Sequence, residues 1–188
     1  MNKERGKLVI ISAPSGTGKG TVIRELLKLR PEFVFSVSTT TRKPRPGEVN
    51  GVAYHFISHD EFDKMIKNEE FLEYAQFVGE YYGTPVKPIK EWINSGQTVI
   101  LDIEVQGAKQ VMAKDIEPIS IFLIAPSMEE LENRLRGRGT DSEEKLIARL
   151  ERARKELEEK QHYDYVVVND IATRAAEEIL SIIERKEQ

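Results

Sequence analysis

The segment that most constrains this chain is Ala13-Pro14-Ser15-Gly16-Thr17-Gly18-Lys19-Gly20-Thr21, set between a β-branched run, Leu8-Val9-Ile10-Ile11-Ser12, and an amphipathic stretch over 21–29. A glycine-rich loop in that position can curl consecutive backbone N–H groups around phosphate oxygens, and the first turn of the helix adds its partial positive charge. Lys19 is then placed to hold the β- and γ-phosphates of a nucleotide. The match to GxxxxGK[ST] departs at two positions. Ala13 replaces the first glycine, and Gly20 replaces the hydroxyl residue that touches Mg²⁺, with Thr21 one residue late. No side chain is therefore assigned as a direct metal ligand, and Mg²⁺ is expected to arrive with ATP, held by phosphates and water near Asp102.

Further apolar runs at 98–101, 119–124 and 165–168 read as strands covered on both faces, as in a parallel sheet. Helical patterns lie between them, over 105–113, 127–136, 142–161 and 173–186. Ser127 with Glu130, and Asp141 with Glu144, have the spacing of capping boxes. In the third of these helices Leu146, Ile147, Leu150, Ala153 and Leu157 are expected to form the buried stripe, with Arg149 at its flank and Arg136 and Arg152 on solvated faces. The alternation predicts an α/β fold, a parallel sheet flanked by helices. Residues 33–96 interrupt it with turns and short aromatic strands, and read as an inserted mixed lobe in a single domain whose core is 1–32 and 97–188. Within that lobe 58–68 and 86–95 read as helices. A charged, glycine-containing connection over 134–149 reads as a short lid.

The chain has 188 residues and a net charge of −4, without the polybasic signature of a nucleic-acid binder. No apolar run approaches the roughly 20 residues that cross a bilayer. The start, Met1-Asn2-Lys3-Glu4-Arg5, carries no signal-peptide core, so a cytoplasmic location is expected. The absence of cysteine excludes disulfides and thiolate metal sites, and His55, His59 and His162 are dispersed in sequence. Assembly is left open between monomer and homodimer.

The stretch from Ser36 to Glu48 concentrates hydroxyls and cations, and Arg42 and Arg45, held by prolines, can present planar forks to a phosphate dianion with the hydroxyls of Tyr54 and Tyr82. Asp102 ends a core strand, where a carboxylate faces the ligand crevice of an open α/β sheet.

The segment Ser38-Thr39-Thr40-Thr41-Arg42 followed by Pro44-Arg45 and Gly47-Glu48, then Gly51, Tyr54 and Phe56, Phe71-Leu72-Glu73, Tyr81-Tyr82-Gly83-Thr84, Ile100-Leu101-Asp102-Ile103 with Gln106-Gly107, and Arg134 with Arg138-Gly139, resembles guanylate kinases over residues 7–176. The resemblance implies an enzyme of purine nucleotide metabolism that moves the γ-phosphoryl group of ATP to GMP. It makes 33–96 the GMP-binding lobe, with Arg42, Arg45, Tyr54 and Tyr82 on the acceptor phosphate and Ser38, Glu73 and Thr84 on guanine. Asp102 and Glu104 join the acceptor site, Glu104 standing where the family commonly has aspartate. Arg134, Arg138 and Arg149 are assigned, with Lys19 and Arg42, to the transferring group, and Asn169 to the neighbourhood of adenine. The alternatives are a non-catalytic guanylate-kinase-like interaction module and a related nucleotide or sugar-phosphate kinase.

Overall fold

In the computed structural model, residues 5–77, 79–137, 139 and 142–185 are described. The chain runs β1 (Leu8–Ser12), α1 (Lys19–Leu29), β2 (Val34–Phe35), β3 (Thr39–Thr40), β4 (His55–Phe56), α2 (His59–Lys67), β5 (Phe71–Phe77), β6 (Glu80–Pro85), α3 (Val86–Asn94) and β7 (Val99–Asp102). It continues through α4 (Val105–Met112), β8 (Ile119–Ile124), α5 (Met128–Arg136), α6 (Glu143–Leu157), a 3₁₀ turn (Glu158–His162), β9 (Tyr165–Val168) and α7 (Ala172–Arg185). One sheet has the order β2-β7-β1-β8-β9, with β2/β7, β1/β8 and β8/β9 parallel. A second has the order β4-β3-β6-β5 and is mixed: β3/β6 and β5/β6 are antiparallel and β3/β4 is parallel. The α/β class, the parallel sheet with helices and the mixed second sheet agree with the alternation read from the sequence.

Two compact units emerge, one of Met1–Leu8, Val34–Leu101 and Gln106–Pro118, the other of Val9–Phe33, Asp102–Val105 and Ile119–Gln188. In the first, Phe62 of α2 is fully buried and stacks on Phe71 at 4.4 Å and on Tyr81 at 5.3 Å between ring centroids. Aromatic burial of this kind contributes a few kcal/mol per ring and fixes α2 against β5 and β6. The helix starts where Ser58 Oγ accepts from Glu61 N and the Glu61 carboxylate accepts from Ser58 N, a complete capping box.

In the second unit β1 is buried at all five positions, as an interior parallel strand requires. Helix α7 buries Ala175, Ala176, Ile179, Ile182 and Ile183, and α1 buries Val22, Ile23 and Leu26. Leu131, Leu135, Leu146, Leu150 and Ala153 form a cluster joining α5 and α6.

Four local expectations are corrected. Ile147 is 49% exposed, because it lies about 100° round the helix from Leu146; the buried set is Leu146, Leu150, Ala153 and Glu156. Strand β9 is the edge of its sheet, so Val166 and Val168 remain 41% and 42% exposed and the two-sided coverage expected from their run of valines does not hold there. The N-cap of α6 is Ser142, whose Oγ accepts from Lys145 N, while Asp141 lies outside the described residues. At α5, Ser127 caps as expected, but the Glu130 carboxylate accepts from Arg134 Nε at 2.7 Å.

Candidate functional site

The phosphate loop belongs to the second unit. At its entrance the hydroxyl of buried Ser12 donates to Ile103 O at 2.9 Å, tying the end of β1 to the segment that follows β7. Gly16 and Gly18 have φ of 93° and 91°, a region that disfavours any side chain. Space excludes one as well: a Cβ on Gly16 would sit 2.7 Å from Leu135 Cδ2, and one on Gly18 2.8 Å from Asn169 Nδ2.

Thr17, 1% exposed, donates its hydroxyl to Pro14 O at 2.7 Å, which closes the loop on itself. The Thr17 carbonyl then accepts from Asn169 Nδ2 at 2.7 Å and from Arg134 Nη1 at 3.2 Å. Arg134 Nη2 donates to Asn169 O at 3.0 Å, so both residues fasten the loop from outside. The sequence does not mark this anchoring, and the family resemblance implies other roles, phosphates for Arg134 and the neighbourhood of adenine for Asn169. Arg149 also arrives at the loop, donating to Ser15 Oγ at 2.7 Å.

Helix α1 opens at Lys19 with Gly18 as its N-cap, without a side-chain cap and without an acidic residue in its first turn. Its first amides are thus left to an incoming anion. The Lys19 ammonium, 15% exposed, lies 2.7 Å from Asp102 Oδ1 and donates to Ile103 O at 3.2 Å. Burial pushes its pKa down, but the carboxylates of Asp102 and Glu104 outweigh this and hold it above the ordinary lysine value. Arg152, expected on a solvated face, donates to Glu156 Oε1 at 2.7 Å and reaches Glu104 Oε2 at 3.4 Å. Glu156 is itself buried, and burial raises its pKa against the opposing pull of Arg152. Arg138 lies outside the described residues.

The first unit holds the other candidate residues. Arg42 makes a two-pronged pair with Glu48, Nη1 to Oε2 at 3.0 Å and Nη2 to Oε1 at 2.9 Å, and donates to Lys43 O at 2.7 Å. Glu48 also accepts from Arg45 N at 2.7 Å, which folds the Arg42–Glu48 turn into one unit and leaves the Arg45 side chain exposed. The Arg42 guanidinium carbon lies 5.4 Å from the Tyr54 ring centroid, and Tyr54 meets Tyr82 edge to face at 5.9 Å. A cation flanked by two phenols is suited to a phosphate-like anion. Glu48 occupies both prongs of the Arg42 guanidinium, a pairing its place in the sequence does not disclose.

Glu73 of β5 faces Thr84 of β6 across the ladder, and its Oε1 accepts from Thr84 Oγ1 at 2.5 Å. The carboxyl is 5% exposed, and burial raises its pKa although the Thr84 hydroxyl opposes the shift. A buried carboxylate with one oxygen hydrogen-bonded and capacity to spare is suited to two adjacent N–H donors of a heterocycle. Ser38, half-buried, contributes its carbonyl to His55 N at 2.9 Å. Among the described residues no group of three His, Cys, Asp or Glu side chains is placed to hold a metal ion. No helix among them is long and apolar enough to cross a membrane.

A guanylate kinase family profile matches residues 5–186. A guanylate kinase of Nostoc sp. is 51% identical over 90% of this chain and 85% of its own length, and one of Lactococcus lactis subsp. lactis is 50% identical over 97% and 89%. The crystal structure of guanylate kinase from Anaplasma phagocytophilum superposes with a TM-score of 0.81 at 35% identity, covering 99% of this chain and 88% of that one. Half the residues retained across nearly the whole length, with a glycine-bounded phosphate loop and a buried carboxylate on the mixed sheet, makes this chain a member of the guanylate kinase family.

Proposed function

We infer that the protein transfers the γ-phosphoryl group of ATP to GMP, giving ADP and GDP. The observation that carries this reading is the glycine-rich loop that places Lys19 as the first residue of α1 behind two left-handed glycines, in a chain half identical to guanylate kinases. ATP phosphates take the amides of Ser15–Thr21 and draw Lys19 away from Asp102. Arg134, Arg138 and Arg149 add positive charge where the transferring group spreads its negative charge over three oxygens, and positioning with such charge supplies most of the rate.

GMP's phosphate goes to Arg42, Arg45, Tyr54 and Tyr82, Arg42 exchanging Glu48 for the ligand. Its guanine N1–H and 2-amino donors go to Glu73, with Thr84 and Ser38 beside them, and Asp102 and Glu104 are further GMP-binding residues on this reading. The attacking phosphate oxygen is already anionic, so no general base is needed. Asn169 lies on the adenine side. Mg²⁺ arriving with the nucleotide would be held by phosphates and water, with Asp102 available to order that water, and would neutralise charge on the triphosphate. The reading places the enzyme in the cytoplasm, as monomer or homodimer, with no nucleic-acid partner.

Incubation with ATP, Mg²⁺ and each of GMP, AMP, CMP and UMP tests it. GDP is expected to dominate the products; equal phosphorylation of AMP, or no transfer to GMP, overturns it.

The unusual Gly20 yields a second prediction. A Cβ built on it meets no atom within 4 Å, and it lies in the first turn of α1. Gly20→Ser is therefore expected to keep kcat within about twofold, as for an unhindered exposed site, and to lower the Mg²⁺ concentration at half-maximal rate by supplying a hydroxyl. A large loss of activity in a magnesium titration would show instead that phosphate must approach the backbone at Gly20.

A further inference from the structure

Strand β5 lies at the edge of the mixed sheet, paired on one side with β6. In an antiparallel ladder the groups of alternate residues point to opposite sides, so Tyr74 turns its N–H and C=O to the open edge while Glu73 pairs with Thr84; the register shifts between Phe71 and Glu73, and the Leu72 carbonyl also faces outward. Side chains from α4 and the turn after it take those groups. Tyr74 N donates to Gln110 Oε1 at 3.2 Å, Gln110 Nε2 donates to Tyr74 O at 2.6 Å, and Lys114 Nζ donates to Leu72 O. Gln110 thus copies one residue of a missing strand, immediately beside Glu73.

Three residues before Gln110, on the same face of α4, stands Gly107. Glycine is the poorest helix former after proline, and here it has no positive φ to explain it. A Cβ at Gly107 would lie 2.2 Å from Glu73 Oε2, 2.9 Å from its Cδ and 3.4 Å from its Cγ, the three nearest atoms. The absent side chain is the seat of the Glu73 carboxylate, opposite the Thr84 hydroxyl that holds its other oxygen.

We propose that Gly107 and Gln110 are positioning residues for base selection: Gly107 provides the space that fixes where the Glu73 carboxylate lies, and Gln110 holds the β5 backbone that carries it. The inference rests on the reading of Glu73 as the guanine-binding carboxylate. An added methyl at 107 must push the carboxylate off its seat, and the donors of guanine then meet an acceptor that is displaced. ATP binding has no part in this.

The test is a double-mutant cycle of Gly107→Ala and Glu73→Ala, read by thermal melting, with GMP and IMP kinetics on the single Gly107 variant. Gly107→Ala is expected to lower the melting temperature by about 5 °C in the natural background, as overpacking does, and not at all in the Glu73→Ala background, where the clashing atoms are gone. In the single variant KM for GMP should rise about tenfold and the GMP-to-IMP ratio of kcat/KM should narrow, with KM for ATP within about twofold. An equal melting cost in both backgrounds overturns the seat. Should Gly107→Ala fail to fold, Gln110→Leu carries the test, with KM for GMP expected to rise about threefold as two hydrogen bonds to Tyr74 are lost. An unchanged KM overturns the proposal. A GMP-to-IMP ratio lost in Glu73→Gln but unchanged in folded Gly107→Ala overturns the inference and leaves the base reading standing, whereas a ratio unchanged in Glu73→Gln overturns both.

Discussion

Lys19→Ala is expected to lower kcat by about a thousandfold, the usual loss when a charged or hydrogen-bonding group aimed at transition-state charge is removed from an enclosed site. The fold should persist. The Lys19 ammonium contacts Asp102 and Ile103 O in the resting loop, but Asp102 is 30% exposed and can be hydrated once its partner is gone. A partly exposed pair of this kind contributes at most about 1 kcal/mol. The sign of the linkage points the same way. The folded pKa of Lys19 is raised, so its contribution is complete below the unfolded lysine value of about 10.4 and is lost only as pH rises through the folded one. Melting curves of the two proteins at neutral pH should therefore nearly coincide while their turnover differs by orders of magnitude. Near-normal turnover in the folded variant would remove the phosphate loop from the reaction.

Glu73→Gln is expected to narrow the GMP-to-IMP ratio of kcat/KM by about 1–3 kcal/mol, the cost of a buried polar mismatch. GMP offers N1–H and the 2-amino group together, whereas IMP keeps only N1–H. The glutamine oxygen can accept one donor, but its NH₂ must then face the other, and in IMP that NH₂ meets only C2–H. KM for ATP should not change. Burial raises the pKa of Glu73, so this group favours the folded protein at lower pH and opposes it as pH rises from the ordinary carboxylate value through the raised one. Base reading needs the ionised form, so KM for GMP should climb as pH falls through the raised value, without a loss of thermal stability from this residue. In Glu73→Gln that pH dependence should be absent. Steady-state kinetics across pH for both proteins and both nucleotides decides it; a natural GMP-to-IMP ratio in the folded variant moves the guanine contact to Ser38, Thr84 or Glu104.

The phosphate loop was legible because everything that defines it is contiguous: a buried strand, glycines at 16 and 18, a lysine and a helix start occupy 8–29. The helices were legible for a similar reason, since their apolar spacing and caps are local properties. Where a single residue of phase decides burial, the same signal fails, as at Ile147 beside Leu146. Strands β2 and β3, of two residues each, carry no periodicity; they exist because β7 and β6 pair with them. Arg134 and Asn169 meet the Thr17 carbonyl from 117 and 152 residues away, and no local pattern marks a side chain for a distant backbone oxygen. Glu73 and Gly107 show the same division. The sequence alone singled out the carboxylate through its resemblance to guanylate kinases, but only the tertiary structure sets a glycine 34 positions later against that carboxylate, because close packing between a strand and a helix is a property of neither segment by itself.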